Sequence, residues 1–223
     1  MHCFMTDFTK PAPILVTCAK AMPPWLAAEI RALNYPVIRE LEAGVETRGS
    51  LSDTLPLNLH LRTAHRVLYL VDAFPALNAE QLYTGLRRIP WADFIPDREY
   101  LSVHTAVDNV TIRDPRYAAV KCKDAVVDAI REARGRRPDS GSRPTGVVLF
   151  LYWQGADARI YLDTSGEPLS RRGYRALPWK APLQETLAAG ILLASGWDGQ
   201  SPFVNPMCGS GTLAIEAALV PDF

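Results

Sequence analysis

Short apolar, partly β-branched runs alternate with helical patterns through the first third of the chain, and their order leaves few folds open. Residues 14–17 (Ile-Leu-Val-Thr) read as a strand. Pro23 and Pro24 open a helix, a position where proline is tolerated, and Trp25, Leu26, Ile30 and Leu33 give it one apolar face. Residues 36–40 and 44–48 read as two strands across a Gly-containing turn, 51–61 as a helix weakened by Pro56, and 67–74 as a strand. The resulting β-α-β-β-α-β order is the ferredoxin-like pattern.

A second α/β unit follows. Residues 79–87 form a short helix closed by Pro90-Trp91, and 101–107 a strand. A long helix spans 115–134, with Tyr117, Val120, Ala125, Val127 and Ile130 among its apolar positions. The Arg-, Pro-, Gly- and Ser-rich residues 134–144 read as an exposed loop, and 147–153 with 158–163 as a hairpin across Gln154-Gly155-Ala156-Asp157. Residues 164–179 form a connector, 183–193 a helix, 202–204 a very short strand, and 213–219 a last helix. Trp25 and Trp91 are expected as core anchors.

Composition excludes several classes. The 223 residues carry 24 Lys+Arg against 24 Asp+Glu, so net charge alone argues for no polyanionic partner. The basic residues are nevertheless clustered, at Arg131, Arg134, Arg136, Arg137 and Arg143, and again at Arg171, Arg172, Arg175 and Lys180. Such local patches can hold phosphates in a neutral protein. Cys3, Cys18, Cys122 and Cys208 form no C-x-x-C pair, and no His stands at zinc-finger spacing, so neither a metal site nor a disulfide framework is expected. No apolar run reaches the length of a membrane span and no signal peptide is recognisable, which makes the cytoplasm the expected location.

The stretch that carries chemistry is Asn205-Pro206-Met207-Cys208-Gly209-Ser210-Gly211-Thr212, a Gly-Ser-Gly turn between a strand and a helix. Small residues let a ligand approach the backbone, and a helix N-terminus supplies unpaired N–H groups and a positive dipole end. There is no Gly-Lys-Ser/Thr and no Gly-x-Gly-x-x-Gly, which disfavours a P-loop and a dinucleotide fingerprint. An S-adenosylmethionine (SAM) type of turn fits better, although taken alone the same residues would serve as a plain strand-to-helix turn. No activating base can be assigned to Cys208, so it is expected as a small pocket-lining residue. Glu216 is expected as a helix residue that packs or caps.

Residues 205–212, followed by Ile215-Glu216-Ala217-Ala218, resemble the SAM-binding motif of THUMP-containing RNA methyltransferases. Many members open this motif with Asp, where this chain has Asn205. Other segments agree in the same order: Leu61-Arg62-Thr63-Ala64-His65-Arg66-Val67, residues 119–128, Arg171-Arg172-Gly173-Tyr174-Arg175, and residues 181–189. The resemblance is strongest to the bacterial 23S rRNA guanine-N2 methyltransferases and covers residues 13–219.

It implies an α/β chain with an α+β front end. A ferredoxin-like subdomain would occupy 13–75, a THUMP RNA-binding domain 76–164 and a basic connector 165–179. Residues 180–223 would begin a Rossmann-like class I SAM methyltransferase domain. The implied cofactor is SAM, lined by Asn205, Pro206, Cys208, Gly209, Ser210, Gly211 and Thr212. The implied partner is RNA, 23S rRNA first, with Arg171, Arg172, Tyr174, Arg175, Lys121 and Lys123 as candidate contacts. Tyr174 would add a stacking surface, and at most one of the two lysines is expected to face RNA because they stand at i and i+2.

The implied reaction is methyl transfer to the exocyclic N2 of guanine. The family's Asn/Asp-Pro-Pro-Tyr/Phe loop, which accepts hydrogen bonds from the target amine, is not in the sequence. No catalytic residue is therefore assigned; that motif is expected beyond Phe223, and the chain is expected to be truncated and inactive alone. A tRNA guanine-N2 methyltransferase and a non-catalytic RNA-binding module are the alternatives.

Overall fold

The structure is a computed structural model that describes residues 9–97, 99–112, 114–143, 145–174 and 182–220. The chain divides into two compact units. One comprises Pro13–Gly49, Asp53–Val67 and 167–220, the other 9–12, Ser50–Ser52 and Leu68–Gly166.

The first unit opens with β1 (Ala12–Cys18), α1 (Pro23–Ala32), β2 (Val37–Leu41), β3 (Gly44–Gly49), α2 (Thr54–His60) and the start of β4 (Ala64–Pro75). Its strand order is β2-β3-β1-β4, with β2 and β3 antiparallel, as the ferredoxin-like reading requires. Alternation puts Ile14, Val16 and Cys18 inside, and α1 buries Leu26, Ala27 and Ile30. Trp25 is only half-buried. Helix α2 is shorter than 51–61: it starts at Thr54, which leaves Pro56 in the first turn, where its missing N–H breaks no intrahelical bond. The same unit holds α5 (Glu185–Ser195) and α6 (Thr212–Ala218), which pack on each other.

The second unit holds the rest of β4 with α3 (Ala79–Arg87), a 3-10 turn (Trp91–Asp93), β5 (Leu101–Asp108) and α4 (Pro115–Arg134). It continues through β6 (Ser140–Gly141), β7 (Val147–Gln154) and β8 (Asp157–Asp163). Its strand order is β4-β8-β7-β5-β6, with β5 parallel to both β7 and β6 and the other pairs antiparallel. Helix α4 begins with Asp114, whose side chain accepts from Arg116 N–H, and has Pro115 in its first turn. Its buried face is Ala118, Cys122, Ala125, Val126, Val127 and Ile130. Tyr117 and Val120, counted among its apolar positions, are each 49 % exposed, because they lie off the stripe that Ala118, Cys122, Ala125 and Ile130 define. Trp91 and Trp153 anchor the core, their indole N–H groups donating to Leu86 O and Ala76 O, each at 2.8 Å. Among the described residues no helix is long and apolar enough to cross a membrane, and no His/Cys/Asp/Glu group has the makings of a metal site.

Candidate cofactor loop and its anchor

The approach to the loop is a tight turn after α5. Asp198 accepts from Ser201 Oγ–H at 2.6 Å and from the N–H groups of Ser201 and Gln200, both at 2.9 Å. Those bonds, the Ser201 hydroxyl first, hold its carboxyl down at about 2. Trp197 donates to Ser201 O and stacks at a tilt on Phe203, centroids 5.3 Å apart. The strand expected at 202–204 is absent: no described strand pairs with these residues, and a strand takes its stability from such neighbours.

The turn itself needs its glycines. Gly209 and Gly211 have φ of 54° and 79°, the left-handed region that L side chains avoid. Gly211 N–H closes on Cys208 O at 2.8 Å, and its carbonyl accepts from Ile215 to start α6. Thr212 is buried, with its Oγ1 3.2 Å from Ser210 Oγ. Pro206, Met207, Cys208 and Gly209 are exposed, whereas Asn205, Ser210 and Gly211 are half-buried. The expected cofactor residues thus form one continuous loop at the head of a helix. A Cβ at Gly209 would meet nothing within 4 Å, so the space in front of the backbone is open to a ligand. These features fit a SAM-type cofactor.

Behind the loop lies an ionic cluster that sequence reading did not foresee. Glu216, in α6, is fully buried. Its Oε2 accepts from Arg62 Nη2 at 2.9 Å and Arg172 Nη1 at 2.7 Å, and its Oε1 from the Tyr174 hydroxyl at 2.8 Å. Arg62 Nη2 also donates to Glu216 O at 2.7 Å, and Arg172 Nη2 to Arg62 O at 2.6 Å. Burial first, then the bond to Glu216, pushes the Tyr174 hydroxyl up. Next to it, Glu29 of α1 accepts from Arg62 N–H at 3.0 Å, Thr63 N–H at 3.1 Å and Thr63 Oγ1–H at 2.5 Å. Removing one partner from a buried pair strands the other charge, a cost of roughly 3–5 kcal/mol.

The expected RNA contacts are placed unevenly. Arg172 and Tyr174 direct their polar ends onto Glu216, while Arg171 stays on the surface beside Glu167 at 3.1 Å. Arg175 lies outside the described residues. Lys121 stands 5.4 Å from the Tyr83 ring centroid and Lys123 pairs with Asp124 at 3.3 Å. The arginine run after α4 folds back on protein. Arg134 donates to Ala92 O and Ile95 O, and Arg136 pairs with Asp97, around a cavity of about 350 Å3.

Three family models match in sequence: the RlmL ferredoxin-like domain over residues 13–68, the THUMP domain over 76–142, and the RMKL-like methyltransferase domain over 172–222. A relative named ribosomal RNA large subunit methyltransferase K/L, from Magnetococcus marinus, is 40% identical over 208 residues, covering 92% of this chain and 29% of its own length. The chain thus spans under a third of that relative. Among solved structures, a protein from Listeria monocytogenes named as a predicted N6-adenine-specific DNA methylase is 30% identical with a TM-score of 0.81, over 95% of this chain and 55% of its own. SMU.472, solved in complex with SAH, is 27% identical with a TM-score of 0.81, over 95% and 56%. The chain thus carries, in this order, matches to an RlmL ferredoxin-like domain, a THUMP domain and an RMKL-like methyltransferase domain, and over 92% of its length it is similar to a ribosomal RNA large subunit methyltransferase K/L.

Proposed function

We propose that this chain is part of an enzyme that transfers a methyl group from SAM to the exocyclic N2 of a guanine in 23S rRNA. The observation that carries the reading is the Gly209-Ser210-Gly211 turn, left-handed at both glycines, at the head of α6 and behind a THUMP match. When bound, SAM supplies an electrophilic methyl carbon. Asn205, Pro206, Cys208, Gly209, Ser210, Gly211 and Thr212 would hold it, the glycines by leaving the backbone bare to the ligand.

The proposed division is a ferredoxin-like part at 13–75, THUMP at 76–164, a connector at 165–179 and the methyltransferase part from 180. RNA contact is proposed at Lys121, Lys123, Arg171 and Arg175. Arg172 and Tyr174 support the cofactor loop from behind, as their bonds to Glu216 indicate. The sequence contains no Asn/Asp-Pro-Pro-Tyr/Phe loop, which favours a second reading of these 223 residues by themselves as an RNA-holding module.

Titration calorimetry with SAM, on this chain and on a longer chain carrying a whole methyltransferase domain, separates the two. Binding by the longer chain, lost on Gly209→Ala, supports the enzyme reading. If neither chain binds, the turn is structural and the RNA-holding module stands.

A further inference from the structure

We propose that Glu216 is a positioning residue for the cofactor loop, gripped by Arg62 and Arg172 so that docking of connector residues 167–174 sets the geometry of residues 205–212. The proposal rests on the cofactor reading only for the loop's purpose; the mechanical link stands on the contacts themselves.

The loop has little stiffness of its own. No described strand pairs with the residues ahead of it, two of its glycines are left-handed, and the helix behind it has seven residues. A helix that short is marginal without tertiary support. The support is concentrated on one face: Thr212 and Glu216 stand at i and i+4, so both point inward, and both are buried. Fixing Glu216 therefore fixes Thr212 one turn back, and Thr212 Oγ1 is the atom that meets Ser210 Oγ. Arg62 strengthens the grip by donating to the carbonyl of Glu216, near the negative end of α6, as well as to its carboxylate.

A generic apolar contact would have stabilised α6 as well. A carboxylate shared by two guanidiniums and a phenol accepts one arrangement only, which is the specificity that buried ion pairs confer where they act in registry. Two of the three donor groups, Arg172 and Tyr174, come from the connector, remote in sequence from the loop. Connector position and loop order are then two ends of one lever, and perturbing the connector loosens the loop through Glu216.

Hydrogen exchange read by mass spectrometry on the 223-residue chain tests this without ligand. Arg172→Met should speed exchange across 205–216 on the order of tenfold or more. The β7–β8 hairpin, 147–163, should stay at its wild-type rate. Arg172→Lys, which keeps the charge, should restore most of the protection, and Tyr174→Phe should shift the same amides by less. Glu216→Gln should give the largest effect; should it fail to fold, the two milder connector variants still decide. Wild-type exchange across 205–216 in folded Arg172→Met and Tyr174→Phe overturns the proposal. So does loss spread evenly over the chain that lysine at 172 does not repair. A SAM titration run in parallel keeps the readings apart: intact protection with no binding sinks the cofactor assignment and leaves the lever in place.

Discussion

Gly211 offers a direct test of the loop's geometry. At φ 79° an alanine would pay the left-handed penalty of about 1–2 kcal/mol. Reduced freedom of the unfolded chain returns about 0.4–1 kcal/mol. No steric term enters, since an added Cβ would come no nearer than 3.9 Å to Ile215. Gly211→Ala should therefore loosen α6 by on the order of 1 kcal/mol, about a fivefold change in local opening. Asparagine tolerates this conformation and is a good N-cap, so Gly211→Asn should stay near wild type. Gly209→Ala carries similar backbone strain but places its methyl in open space in front of the loop, so its loss of SAM affinity should exceed its loss of stability. Amide exchange over α6 and calorimetry on the longer chain give the two quantities. Equal behaviour of alanine and asparagine at 211 would show that backbone strain is not what the glycine relieves.

Two further expectations follow from buried groups. Burial holds the Glu29 carboxyl above its ordinary value of 4.5, against the lowering effect of Thr63, the backbone donors and Arg62. The folded state then keeps that proton to higher pH than the unfolded chain. Its contribution is complete below 4.5 and is lost as pH rises through the folded value, so the stability difference between wild type and Glu29→Gln should shift against wild type on going to neutral pH; a difference that grows with pH in urea titrations contradicts the assignment. Trp153→Phe removes the donor to Ala76 O and should cost about 1–3 kcal/mol, plus a smaller packing loss. A unchanged urea midpoint would mean that the indole bond contributes nothing.

What the sequence revealed, and what it hid, follows from range. Helix α4 was legible from Pro115 to Arg134 because Asp114, Pro115 and Gly135 mark its ends within the segment itself. The β7–β8 hairpin likewise declares itself through two apolar, β-prone runs and a four-residue turn. The face of α4 was misjudged at Tyr117 and Val120, since composition names apolar residues without saying which ones the neighbouring α3 and β5 cover. The strand at 202–204 failed because a three-residue apolar run carries no information about pairing, and no described strand pairs with it. The glycine turn was readable as a motif. Its anchor was not: Arg62 and Glu216 are 154 positions apart, and a lone Arg, Glu or Tyr carries no mark of burial. Basic residues of the connector look like phosphate ligands on paper, and only packing shows that Arg172 faces inward.

The exposure of Cys208 has a practical consequence. Burial pushes the Cys18 thiol up to about 12 and drives that of Cys122 higher still, so both are poor nucleophiles at neutral pH, whereas Cys208 stands in the open between Met207 and Gly209. In a Cys3→Ser background, a thiol-reactive fluorophore would find Cys208 as the one exposed thiol among the described residues. The chain thus carries its own labelling handle inside the loop, and the dye's emission would report changes in the loop's solvent exposure in real time.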